Sequence, residues 1–112
     1  MHISTQNSQP KWADWCITHV RPRLENGRRG RLIAFLVRPD YGPSLGEPIE
    51  MTLEEVLIAM KAGQTFCTVV WRNTKWWYGA EVEPRRDVRR GIFLTTLKDG
   101  TVVDNLDELP TF

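Results

Sequence analysis

Cysteine and histidine are scarce in this chain, two of each in 112 residues. Two cysteines cannot build a disulfide scaffold, and Cys16, Cys67, His2 and His19 match no zinc-ligand spacing. Net charge is also small, at +1, so no overall field draws the molecule towards nucleic acid or an anionic membrane. Long apolar runs are missing. The longest, Leu32 to Val37, falls far short of the roughly 18–20 residues that span a bilayer. Residues 1–10 are polar and lack the basic start and apolar body of a signal peptide. They read as a disordered lead-in to a single domain over 11–112, and the expected location is the cytoplasm. No glycine-rich phosphate loop, EF-hand spacing or internal repeat is present. The sequence therefore calls for no metal or cofactor.

What is present is a regular alternation of strand and turn signals. Strands are expected at 13–20, 31–38, 65–72, 75–83 and 92–97, with a short sixth at 101–103. Asn26-Gly27, Asn73-Thr74 and Asp99-Gly100 supply turns, because Asn, Asp and Gly accept positive φ most readily. In the first strand Trp15, Ile17 and His19 should share one face, and Cys16, Thr18 and Val20 the other. In the second, Ile33, Phe35 and Val37 oppose Leu32, Ala34 and Leu36. In the fourth, Trp76, Tyr78, Ala80 and Val82 should face inward and Trp77 outward. Residues 39–48, with three prolines and two glycines, form a stiff loop.

The helix has the clearest signals. Thr52 and Glu55 have capping-box spacing, Met51 and Val56 can staple its start, and Gly63 suits its end. Leu53, Val56, Leu57 and Met60 form its apolar stripe. The fold class that follows is α+β, a mainly antiparallel sheet of about five strands in the order β-β-α-β-β-β. One helix covers one face, and the other face is open to water or to a second chain.

No catalytic constellation emerges. His19 and Cys16 sit on opposite faces of one strand, and nothing in the spacing requires Cys67 to meet His19. Both cysteines read as small buried apolar residues. The acidic tail (Asp99, Asp104, Asp107, Glu108) reads as turn caps and solubility. The arginines are more informative, for eleven of the fifteen cations are Arg. Arg28, Arg29 and Arg31 form one cluster, and Arg85, Arg86, Arg89 and Arg90 a second, expected in a basic loop over 84–91. Guanidinium groups fork onto phosphates and stack on rings, and an exposed indole such as Trp77 or Trp71 can serve as a stacking platform. Trp and Arg are equally the residues of protein–protein hot spots.

Three functions follow in order of preference. The first is a non-catalytic interaction module that self-associates, as a homodimer, through its open sheet face. The second is a nucleic-acid accessory protein using the arginine loops. The third is a small-ligand binder or enzyme with a pocket between sheet and helix near residues 39–48.

The run Phe93 to Pro110 carries a resemblance. Leu94, Thr96, Asp99, Gly100, Asp104, Asn105, Leu106, Leu109 and Pro110 resemble the C-terminal signature of a family of small bacterial proteins of unknown function. Gly63 followed by Thr65-Phe66 resembles the helix-to-strand junction of the same family. The resemblance covers the C-terminal half and implies a shared fold. It implies no activity, cofactor or site residue. The signature itself reads as structural: a hairpin turn, a cap, and an apolar plug made by Leu106 and Leu109.

Overall fold

Three turns and one helix cap set the chain's course. In the computed structural model, which describes residues 11–98, 101–103 and 106–112, Asn26 and Gly27 take φ of 55° and 75°. That double positive φ makes a two-residue hairpin whose twist matches its strands. It joins β1 (Trp15–Glu25) to β2 (Arg28–Pro39). β3 (Ile49–Thr52) leads directly into α1 (Leu53–Lys61). β4 (Phe66–Arg72), β5 (Lys75–Asp87), β6 (Gly91–Lys98) and the short β7 (Thr101–Val103) complete one sheet, with a 3-10 turn at Leu106–Glu108. The spatial order is β3-β2-β1-β4-β5-β6-β7.

The class is α+β as expected, but the sheet has seven strands rather than about five, and it is mixed. β1 and β4 run parallel over Trp15–Ile17, while every other neighbouring pair is antiparallel. The unexpected strand is β3. Its four residues are too few to show a period, and pairing with Ala34–Val37 defines it. The short strand expected at 101–103 is present. The expected lead-in over 1–10, the turn at Asp99-Gly100 and the cap at Asp104-Asn105 lie outside the described residues. No helix among the described residues is long and apolar enough to cross a membrane.

Both ends of α1 are closed by local bonds. Thr52 Oγ1 accepts from the Glu55 N–H at 3.1 Å, and Glu55 Oε1 accepts from the Thr52 N–H at 2.9 Å. At the other end Gly63, with φ of 97°, donates to the Met60 carbonyl, and Gln64 donates to that of Ala59. This pair of bonds is the Schellman arrangement. Val56 is fully buried, Leu57 is half-buried, and Leu53 and Met60 flank the core that Val56 enters.

Four register shifts overturn the expected facings. One bulge in β1, between Ile17 and His19, puts Ile17 and Val20 in the same core instead of on opposite faces. Further shifts where β1 passes Pro22 allow proline to stay in a strand. β1 and β2 therefore run on to the Asn26-Gly27 turn, through residues expected to be a loop. The fourth shift, between Cys67 and Val69 on the β4 side, lies opposite Tyr78–Glu81. It separates Val82, which enters the core under α1, from Trp76, which packs with Cys16, Cys67 and Val69 on the other face.

That other face is not fully open. Ala13 and Leu45 cover its centre, and both are positioned by Asp40. This buried carboxylate accepts from the N–H of Trp12 at 2.7 Å, of Ala13 at 3.3 Å and of Gly42 at 2.9 Å. The tail closes the opposite flank. β4 leaves β1 after Ile17, and beyond that point the Val20 N–H donates to the Pro110 carbonyl at 2.9 Å. Leu106 and Leu109 are buried, as a plug should be.

The Asn73-Thr74 turn carries visible strain. Both residues have positive φ, 52° and 63°, and a β-branched side chain rarely tolerates that region. Thr74→Gly is expected to raise stability by about 0.5–1 kcal/mol. A urea midpoint that is unchanged or lowered would show that the turn is relaxed.

Acid should destabilise the fold in two stages. Burial, then the neighbouring Arg38 charge, hold His19 below its ordinary 6.5. The Thr65 backbone N–H, donating at 2.8 Å, is the main cause holding Asp14 below 3.8. Each group binds fewer protons folded than unfolded, so stability falls with pH. The His19 penalty develops downward from about 6.5 and is complete beneath its folded pKa. The Asp14 contribution is intact above 3.8 and is lost as pH falls through its lower, folded value. In urea titrations across pH, His19→Gln should flatten the first stage and Asp14→Asn the second.

Candidate functional site

The two long hairpins converge. In sheet order β2 and β6 are separated by β1, β4 and β5, yet Arg31 Nη2 donates to the Ile92 carbonyl at 3.0 Å. Strand twist, increased by the bulges near Pro22, curls the β1–β2 arm over towards the β5–β6 arm. Between the arms lies a cleft of about 670 Å³. Leu32, Phe35, Leu53, Leu94 and Leu106 make its apolar floor, and Arg29 and Arg31 line one side. Arg89 and Arg90 line the other.

The two arginine clusters, far apart in sequence, thus meet on one surface, though not in full. Arg29, Arg31, Arg89 and Arg90 share the cleft; Arg28, Arg85 and Arg86 are not in its lining. The expected basic loop over 84–91 is mostly strand. β5 continues through Pro84, Arg85 and Arg86, which pair with Leu94, Phe93 and Ile92. The turn proper is closed by Asp87 Oδ1, which accepts from the N–H groups of Arg89 and Arg90 at 2.7 and 3.0 Å. These bonds hold the Asp87 carboxyl below its ordinary range and fix the backbone of the turn that carries the two arginines. Arg85 instead pairs with Glu83 at 2.8 Å.

Among the described residues, one ion pair reaches a cleft arginine. Arg29 Nη2 lies 3.6 Å from Asp107 Oδ1, with both side chains well exposed. Such a pair contributes about 0–1 kcal/mol. The acidic tail therefore reaches the basic cluster of its own chain. Arg90 sits over the Phe93 ring at 4.5 Å. Arg89 makes no ion pair among the described residues. Glu25 and Thr95 add acceptors and a hydroxyl to the walls. A shallower depression of about 370 Å³ adjoins the cleft. It shares Arg31 and Leu53 with it and adds Arg23.

The indoles do not belong to the cleft. Trp77 is 39% exposed but pairs with Val70, which packs on the helix-side core. It therefore lies on the helix side, not turned away from it. Its N–H donates to the Arg72 carbonyl at 2.9 Å, and Lys75 Nζ covers the ring at 4.2 Å. Trp71 pairs edge-on with Trp76, with centroids 5.0 Å apart, on the opposite face. There Trp71 (57% exposed), Tyr78 and Trp12 form a separate aromatic surface, with Trp12 and Tyr78 6.0 Å apart. Nor does residues 39–48 flank the cleft; that loop packs Leu45 on the other face.

Cys67 meets Cys16, not His19. The two are register partners on parallel strands, their sulfurs are 3.7 Å apart, and both are buried free thiols. The hydrogen bond with Cys67 and burial push the Cys16 thiol far up. Both thiols are also closed off from water, and a buried thiol does not react. Native protein should therefore leave both thiols unmodified by an aromatic disulfide reagent, and denatured protein should titrate two per chain. Rapid modification of the native chain would overturn this. Among the described residues no three of His, Cys, Asp and Glu group as metal ligands would.

Sequence reading missed the floor and the acceptors. Phe35, Leu53 and Leu106 each look like ordinary core residues, and only the curl of the sheet places them beneath the space between the arms. Matched against protein-family models, curated proteins and solved structures, the chain has no significant counterpart in any of the three.

Proposed function

We propose that this protein is a non-catalytic binding module, acting in the cytoplasm, whose working surface is the cleft between the two hairpins and whose ligand is anionic. The observation that carries this reading is the convergence of two arginines from each arm over an apolar floor. Guanidinium forks recognise carboxylate and phosphate oxygens, and the apolar floor favours a ligand that also presents a flat or apolar part. The small net charge, +1, suits a local site rather than a general polyanion trap. The tail's likeness to small bacterial proteins of unknown function bears on the fold, and Leu106, buried beneath the cleft, belongs to that signature.

The test is isothermal titration with polyphosphate and polyglutamate at low salt. Binding should weaken as salt rises and fall at least tenfold in an Arg29→Ala/Arg89→Ala double variant. If neither probe binds, the proposal is overturned.

A second reading, self-association, is favoured by Trp12, Trp71 and Tyr78, all exposed on the face away from α1. Large exposed aromatics are the usual anchors of protein interfaces. Sedimentation should then show a dimer that Trp71→Ala weakens. A monomer at high micromolar concentration removes this reading.

A further inference from the structure

We infer that the cleft's ligand is a single-stranded nucleic-acid chain, laid across Arg31 from the main cleft into the adjoining depression; this rests on the anionic-ligand reading above. Four features of the two hollows point the same way.

The first is the vertical order of groups. The arginines stand at the rim, and the floor beneath is apolar. A nucleotide strand offers that sequence of chemistry at every step, a phosphate followed by a flat base. An acidic peptide carries its charges on flexible stems and brings no flat surface for the floor.

The second is a ready stacking position. Phe93 is half-buried in the cleft wall with the Arg90 guanidinium 4.5 Å above its ring. Bases stack on aromatic rings and on guanidinium planes alike, with little regard to sequence. A base entering here extends a stack that the protein has already begun.

The third is the presence of acceptors among the cations. Glu25 on the β1–β2 arm and the Thr95 hydroxyl on the β5–β6 arm both line the cleft. Carboxylates oppose a purely anionic ligand, but they accept hydrogen bonds from base amino groups and sugar hydroxyls. An acyl chain beneath an anionic head has no such donors.

The fourth is repetition. The second hollow shares Arg31 and Leu53 with the first and adds Arg23, together with Glu54 as a further acceptor. Arg89 and Arg90 on one arm, and Arg29, Arg31 and Arg23 on the other, therefore spread cations over more surface than one nucleotide needs, which fits a chain and not a mononucleotide. A duplex is excluded by the same geometry. Its bases are stacked on one another and cannot lie on the floor, and the bond from Arg31 to the Ile92 carbonyl draws the two arms together.

The experiment is fluorescence anisotropy with the full chain and four labelled probes: dodecamers of deoxythymidylate and of uridylate, a twelve-base-pair DNA duplex, and a twelve-residue polyglutamate. Uridine monophosphate serves as an unlabelled competitor. Both single strands should bind, with affinity falling as salt rises. Arg89→Gln and Arg23→Gln remove cations that make no ion pair among the described residues, so folding should survive. Each should weaken binding and reduce the salt slope by about one. Phe93→Leu keeps the wall apolar and removes the ring; it should weaken binding about tenfold with the salt slope unchanged. Circular dichroism and the melting midpoint confirm that each variant is folded.

Binding of polyglutamate but not of either single strand overturns the nucleic-acid assignment and leaves the anion cleft standing. Equal binding of duplex and single strand, or displacement by uridine monophosphate at concentrations equal to the dodecamer, overturns the laid-strand geometry. Single-strand binding that is indifferent to all three substitutions places the ligand elsewhere and overturns the inference. If no probe binds at low salt, this inference and the anionic-ligand reading fail together.

Discussion

Replacing Phe35 with alanine is expected to cost about 3–5 kcal/mol, the usual range for deleting a buried aromatic ring. Phe35 is fully buried and shares the main core with Val20, Val56 and Leu106. It pairs with Val20 on one side and Met51 on the other, so β1, β2 and β3 all rest on it. The neighbouring elements cannot collapse into the space, because the α1 cap and the ladder on both sides hold them apart. Urea denaturation with intact secondary structure at zero denaturant measures the loss. Phe35→Leu, which keeps most of the volume, should cost less than about 1.5 kcal/mol. If alanine costs no more than leucine, the ring is not a keystone of this core. Because Phe35 also floors the cleft, the alanine variant should enlarge it, and the leucine variant separates the two effects.

Replacing Asp40 with alanine should come next in size, at about 2–4 kcal/mol. Three backbone N–H groups lose their acceptor, from Trp12, Ala13 and Gly42. Ala13 is buried, and a buried donor left unsatisfied costs about 1–3 kcal/mol by itself. Asp40→Asn retains one acceptor oxygen and should recover part of the loss. The structural consequence is local before it is global. Residues 11–14 and Leu45 would no longer be held over Cys16 and Cys67. In Asp40→Ala the two thiols should therefore become reactive under conditions where the rest of the chain is still folded, as judged by the far-ultraviolet spectrum. Thiols that open only with global unfolding would show that Asp40 does not govern this cover.

Much of the architecture was legible because its signals act over a few residues. Asn26-Gly27 and Asn73-Thr74 turn where they were expected, since tolerance of positive φ belongs to the residue itself. The helix runs between Thr52 and Gly63 because its orphan N–H and carbonyl groups are satisfied by side chains and backbone within one turn. The burial of Cys16, Cys67, Leu106 and Leu109 also follows from composition and local pattern. The facings were less legible. Trp77 was expected on the face away from the helix, and it lies on the helix side, because one residue more on β5 than on β4 reverses the alternation. No pattern within 75–83 records that shift; it exists only in the pairing with a second strand.

The site divides along the same line. That arginine occurs in two groups is legible in the chain read alone. Which of them lie together depends on folding: Arg29 and Arg31 stand opposite Arg89 and Arg90, while Arg28, Arg85 and Arg86 do not join them. Turns, caps and side-chain chemistry are fixed within one to four residues, so they survive in any context. The meeting of two arms some sixty positions apart depends on twist and bulges accumulated across intervening strands, and that curvature is a property of the whole sheet.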